Sequence, residues 1–210
     1  PDELFRGATP DLEIHDPVEP SAQALIERAH AAEQAALAVK GVTNSEGAEA
    51  SWSNNEVTLA ASNGFNASYA ISRHGVGVSV VAGEGTAMER DYEFSSAVYG
   101  ADLDDSESVG RAAGERTVKR LNPRKGATTT APVVFDPRVS HGLLSHLAGA
   151  INGSGVARGT SFLKDSLNQA IFSAEITIVD DPHRKRGLRS KPFDAEGIAN
   201  TRRNFIDKGE

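Results

Sequence analysis

The period of the apolar positions changes along the chain, and each change predicts an element. Residues 1–19 are polar and proline-bearing, and read as an irregular lead-in. Leu25, Ala29, Ala32 and Ala36 then recur at helical spacing, with Ile26 and Leu37 widening the stripe. This predicts a helix from Pro20 or Ser21 to about Lys40, stopped by Gly41. Its alanine-rich face suits close packing on a sheet. From residue 46 the period becomes two: Ala48, Ala50 and Trp52, then Val57, Leu59 and Ala61, alternate with polar neighbours. Asn63-Gly64 is a tight-turn signal, and Phe65, Ala67, Tyr69 and Ile71 continue beyond it, so residues 56–71 read as a hairpin. Arg73-His74-Gly75 reads as another turn before Val76, Val78 and Val80. Gly83-Glu84-Gly85 breaks the pattern again, and Tyr92-Glu93-Phe94 ends one more strand.

A helix is predicted over about 107–121, with early acidic residues and late Lys119 and Arg120 suiting its dipole. Asn122-Pro123 ends it. The linker Gly126–Thr130 marks the expected boundary between an N-terminal α+β domain, 1–125, and a C-terminal part, 126–210. In that second part Val133-Val134-Phe135 predicts a short buried strand. Asp136-Pro137 starts a helix carrying Leu143, Leu144, Leu147, Ala148 and Ile151, which ends at the glycine-rich Asn152–Gly155. A short helical stretch to about Leu167 and a strand at Ile176–Val179 follow, with mostly loop over 180–210. The fold class is α+β: a helix-covered antiparallel sheet, then a second α+β part expected to be incomplete at the C-terminus.

Charge narrows the function classes. The formal net charge of -7 argues against direct nucleic-acid binding, although basic clusters stand at Arg111–Lys125 and His183–Lys191. Both read as solvated faces or protein contacts. The first faces an acidic run just upstream. The second lies in a loop of the kind that meets partners. There is no cysteine, and no apolar run long enough to span a membrane or signal peptide is visible, so a cytoplasmic setting is expected. The chain opens on Pro1 and ends just past Asp207-Lys208-Gly209, which reads as a piece of a longer protein.

Catalytic templates are sparse. His141 and His146 share the predicted helix but sit about 140° apart around it, so they do not converge on one ion. His183 stands near Asp181 and Asp194 in sequence, while His15, His30 and His74 are isolated. Ser161 beside a glycine-rich bend reads as a cap or turn residue. Asp194-Ala195-Glu196-Gly197 reads as a loop fixed by side-chain to backbone hydrogen bonds.

Several blocks together resemble the TldD/PmbA family, and its PmbA (TldE) branch in particular. They are Asn44–Gly47, Leu143–Ile151, Arg158–Leu163, Asp180–Pro182 and Pro192–Gly197. The resemblance covers roughly residues 40–210. It implies a relation to a zinc metallopeptidase whose TldD branch carries H-E-x-x-x-H. In that register the first His falls at Ser145, the Glu at His146 and the second His at Ala150, while Gly149 keeps the family glycine. A hydroxyl and a methyl replace the two ligands, and an imidazole replaces the water-activating carboxylate. The resemblance therefore implies no catalytic residue, bound metal or cofactor in this chain. It implies a non-catalytic subunit of a TldD-type zinc peptidase assembly, paired with a TldD-like subunit and handling peptide or unfolded polypeptide substrates. Two alternatives stay open: an unconventional hydrolase using His146, and a gyrase- or DNA-associated regulator.

Overall fold

The computed structural model describes residues 4–6 and 9–210; the parts of the expected lead-in at residues 1–3, 7 and 8 lie outside the described residues. Helix α1 (Ala22–Leu37) starts where Ser21 accepts a hydrogen bond from the Ala24 N–H. Three antiparallel strands follow in the order β1 (Val42–Ala60), β2 (Asn66–Ala82) and β3 (Glu89–Ala97), and helix α2 (Ser106–Lys119) is capped by Asp105. At the β1–β2 turn the Phe65 N–H donates to Asn63 Oδ1, and Gly64 adopts φ +88°.

Because side chains alternate along a strand, Val76, Val78, Val80 and Ala82 all project to one face of the sheet. That face meets α1 and α2 in a core of Ala32, Ala36, Val76, Val78, Val80, Val109 and Ala113. Each of these valines contributes roughly 1.5–3 kcal/mol on full burial. The two helices approach through small residues: a Cβ at Gly114 would stand 2.7 Å from Val39 Cγ2 and 2.9 Å from the Ala36 carbonyl oxygen. The opposite face of β2 presents Gly75, Gly77 and Ser79.

One expectation for this region is corrected. Arg73-His74-Gly75 is no turn: β2 runs straight through it, with His74 opposite Trp52 on β1 and Ala97 on β3. His74 is held in the layer beneath the sheet, and Gly75 makes room for the Ser51 hydroxyl, so the polar triplet does not break the strand. Two basic residues at the end of α2 turn to β3 as well as following the acidic run in sequence. Arg116 pairs with Glu93, and Arg120 with Glu89 and Asp91, all on β3, while Asp105 is occupied as the helix cap.

The chain divides into two compact units, one formed by residues up to Arg124 together with Asp181–Arg202, the other by Lys125–Asp180 together with Arg203–Glu210. In the first unit the segment 181–202 packs beside the start of the chain. Phe193, 2% exposed, meets the rings of Phe5, Phe65 and Tyr69 at centroid distances of 5.7, 5.0 and 5.2 Å. The second unit contains α3 (Pro137–Ala150), α4 (Gly153–Ala157) and a two-stranded sheet of β4 (Ile178–Asp180) and β5 (Arg203–Ile206).

Four further readings are corrected in this unit. Val133-Val134-Phe135 forms no strand, and Val134 is 94% exposed. An apolar run becomes a strand only where another backbone satisfies its N–H and C=O groups, and among the described residues none does. The glycine-rich stretch read only as the end of α3 also starts a short helix, Gly153–Ala157, because Asn152 caps it by accepting from the Ser154 N–H. The stretch up to Leu167, expected to be helical, is a succession of turns. Residues 203–206, expected to be loop, pair as β5.

Candidate functional site

Helix α3 carries Ser145, His146 and Ala150, the positions that the resemblance sets against the zinc motif. Asp136 accepts from the Arg138 N–H at 2.9 Å, and Pro137 opens the helix where no main-chain donor is needed. Ser145 and His146 are exposed on α3, and Ala150 is buried at its C-terminal end. The Ser145 hydroxyl donates to the His141 carbonyl oxygen at 3.2 Å, so its proton is used within the helix. His141 is also exposed. The donor set at the motif positions is thus one alkyl hydroxyl, one imidazole and a methyl group. It does not fit a zinc site, which takes three or four nitrogen, sulfur or carboxylate ligands. Among the described residues no group of three or more His, Asp or Glu is placed to hold a metal ion.

The blocks around α3 have structural work. Ser161 donates to the Ala150 carbonyl oxygen and accepts from the Leu163 N–H, which pins the bend at 158–163 against the end of α3. This is the turn role expected for it. Asp194 Oδ1 accepts from the N–H groups of Glu196 and Ile198, at 2.9 and 2.8 Å, and so fixes its loop as expected. Gly197 in that loop has φ +79°, and a Cβ there would stand 2.6 Å from the Phe65 ring, so the position admits only glycine without movement. Asn44–Gly47 forms a bulged start to β1. There Ser79 donates to Glu46, and Arg90 lies 3.4 Å from the same carboxylate. The Ser79 hydrogen bond is the main cause holding the Glu46 pKa below its ordinary value, with Arg90 adding to it against the effect of desolvation.

His183 stands near Asp181 in sequence and meets it through the main chain: its N–H donates to Asp181 Oδ1, while its ring Nε2 has no hydrogen-bond partner among the described residues. His74, expected to be isolated, has a carboxylate beside its ring. Its Nε2 lies 3.1 Å from Asp16 Oδ2, with the side chains only 2% and 6% exposed. Asp16 also accepts from the N–H groups of Gly100 and Val18, both at 2.9 Å, and its own N–H donates to Ser72 Oγ. Burial acts to raise the Asp16 pKa. The Gly100 and Val18 N–H groups and the facing imidazole outweigh it and hold the carboxyl below its ordinary value. The two residues stand 58 positions apart in a chain that offers no local signal for their pairing.

The basic segment 184–191 is split by its partners. Lys185 and Arg186 both bind Glu13, and Arg186 also reaches Asp102 at 3.0 Å and stacks 4.2 Å over the Tyr99 ring. Hydrogen bonds from Lys185 and then Arg186 lower the Glu13 pKa. Arg189 and Lys191 stay clear of that network and border a cleft with Arg73. No described helix is long and apolar enough to cross a membrane.

Comparison with known proteins places this geometry. Residues 15–121 match the family model described as the PmbA/TldA metallopeptidase central domain, and residues 128–210 match the corresponding C-terminal domain. The chain is 41% identical to Metalloprotease PmbA of Escherichia coli O157:H7 over 99% of its own length and 46% of that protein. It is 35% identical to the Metalloprotease PmbA homolog of Haemophilus influenzae, over the same shares of both chains. It therefore spans about half the length of these curated relatives. A crystal structure from Bacteroides thetaiotaomicron, described as a modulator of DNA gyrase, superposes with a TM-score of 0.91 at 30% identity, covering 98% of this chain and 48% of that one. TldE from Thermococcus kodakarensis shares the fold, with a TM-score of 0.75 at 20% identity over 100% of this chain and 47% of that one. With both parts of the chain matched in order, the chain belongs to the PmbA/TldD metallopeptidase family.

Proposed function

We infer that this chain is part of a PmbA/TldE-like subunit that supports peptide proteolysis or maturation without performing the hydrolysis itself. The observation that carries this reading is the donor set on α3, a hydroxyl at Ser145, an imidazole at His146 and a methyl at Ala150, at the positions that the resemblance sets against the active branch's first histidine, glutamate and second histidine. A zinc site polarises the scissile carbonyl and activates water, and the second task needs a base beside the ligands. An exposed serine whose hydrogen is spent on a carbonyl, followed by a methyl group five residues on, supplies neither ligand.

The subunit then acts by shaping the chamber and holding an unfolded peptide against a TldD-like zinc-bearing partner. The relatives named metalloproteases are about twice the length of this chain, and their activity belongs to the whole protein. The setting proposed is the cytoplasm, in keeping with a chain of this composition that contains no cysteine. A division of labour near residue 125 goes with it, the preceding residues supplying wall and the following ones the relic of the peptidase helix.

The test is reconstitution. Full-length protein, its TldD-like partner and an unstructured peptide are combined, and cleavage is followed by mass spectrometry. The mixture is expected to cleave faster than the partner alone, and His146→Ala in this subunit is expected to leave that rate unchanged. Equal cleavage by the partner alone refutes the subunit role. Cleavage by this protein unaided, lost on His146→Ala, would establish the hydrolase alternative instead.

A further inference from the structure

We propose that the cleft between β1, β2 and the 187–191 loop is a binding site for a peptide's C-terminal carboxylate carried next to an apolar side chain. The cleft has a volume of about 390 Å³, within the roughly 300–1,000 Å³ usual for small-ligand sites. Arg73, Arg189 and Lys191 border it, and no acidic residue among the described ones does.

The pairing of the neighbouring charges makes this concentration meaningful. In a chain of net charge -7, basic residues are ordinarily answered by acids, and Lys185 and Arg186 are answered by Glu13 and Asp102. Arg189 and Lys191, three and five residues further on than Arg186, have no acidic partner among the described residues. Arg73 donates from Nη2 to the Leu188 carbonyl oxygen at 3.3 Å, which holds its guanidinium at the mouth of the loop and leaves its other donors free. Guanidinium groups present paired donors that match a carboxylate's two oxygens, and an ammonium adds a compact third charge.

The rest of the lining selects the ligand. Between the cations the cleft is walled by Tyr69, Ile71 and Leu188, with Ser53 and Asn55 as polar edges on β1. An inorganic oxyanion would leave the apolar wall wet. A terminal leucine, valine or phenylalanine would cover that wall while its carboxylate met the cations. The loop that supplies Arg189 and Lys191 is built to stay in place: Ser190 is buried, its hydroxyl donates to the Arg184 carbonyl oxygen, and the Lys191 N–H donates to the Pro182 carbonyl oxygen. The site thus costs little ordering of the loop on binding.

The peptide-handling reading supplies a source for such a ligand, but the site stands on its own lining. The experiment contains no partner subunit, so its failure would leave that reading untouched. Isotope-labelled 210-residue chain is titrated with N-acetyl-leucine, with N-acetyl-leucinamide and with inorganic phosphate, and amide shifts are followed by NMR. N-acetyl-leucine is expected to move the signals of Arg73, Arg189 and Lys191. The uncharged amide is expected to bind at least about tenfold more weakly, the size of one lost charge-assisted hydrogen bond. Lys191→Gln and Arg189→Gln are each expected to weaken the acid by about tenfold, while Lys185→Gln, whose charge is spent on Glu13, leaves it unchanged. Equal binding of acid and amide, phosphate binding as tightly as the acid, or shifts confined to other residues would each overturn the proposal.

Discussion

Replacing Asp16 with alanine should destabilise the first unit more than any other single loss of charge in it. The carboxylate accepts two main-chain donors, Gly100 and Val18, and lies 3.1 Å from His74 Nε2. A hydrogen bond to a charged group contributes about 1.5–3 kcal/mol, so the two main-chain bonds alone represent about 3–6 kcal/mol. Releasing the carboxylate from its buried setting returns part of this. The net expectation is a loss of about 3–5 kcal/mol, the usual cost of removing one partner from a buried pair. For a unit whose whole stability is about 5–15 kcal/mol this is a large fraction. Urea unfolding followed by the fluorescence of Trp52, the single tryptophan, reads the effect directly, because Trp52 lies opposite His74 across β1 and β2. A loss below about 1 kcal/mol would refute the reasoning. Asp16→Asn, which keeps an acceptor but no charge, adds a pH test. The folded-state pKa of Asp16 lies below its unfolded value, so its contribution is complete above about pH 4 and is lost as pH falls through the folded value. Wild-type stability should therefore fall more steeply below about pH 4 than that of Asp16→Asn. Parallel curves would show that the charge is not what stabilises the pair.

Three further expectations come from packing and turn geometry. Gly114→Leu should force α1 and α2 apart, since even a Cβ there meets Val39 and the Ala36 carbonyl; a loss of about 3 kcal/mol or more in the same urea assay is expected. Phe193→Ala removes a ring packed on three other aromatics and should cost about 3–5 kcal/mol, with proteolysis of the 181–202 segment at lower urea than in the parent. Ser161→Ala loses one bond to the Ala150 carbonyl and one from the Leu163 N–H; a loss of about 1–2 kcal/mol, seen as faster hydrogen exchange at Leu163, is expected.

The sequence carried the elements governed by local chemistry. The stripe of Leu25, Ala29, Ala32 and Ala36 announced α1, Asp136-Pro137 announced α3, and Asn63-Gly64 marked the turn between β1 and β2. It was silent where distant residues decide the outcome. Arg73-His74-Gly75 has turn composition, yet β2 passes through it because Asp16 receives the imidazole from far upstream. Val133–Phe135 has strand composition, yet a strand requires a neighbour that no local pattern can provide. The helix that carries Ser145, His146 and Ala150 was legible because it depends only on a local cap and a periodic apolar stripe. The cleft bordered by Arg73, Arg189 and Lys191 was not, since only the folded chain separates the neutralised half of the basic segment from the unneutralised half.

The return of residues 181–202 to the first unit has a consequence for biosynthesis. As the nascent polypeptide leaves the ribosome, β1 to β3 and both covering helices emerge long before Phe193 does. Phe65 and Tyr69 must wait, without their aromatic partner, while the whole of 125–180 is translated. At about 5–20 residues per second that interval lasts several seconds, long enough for a chaperone to bind the uncovered rings. Expressing residues 1–125 by themselves would make this transient exposure permanent and should yield an aggregation-prone product.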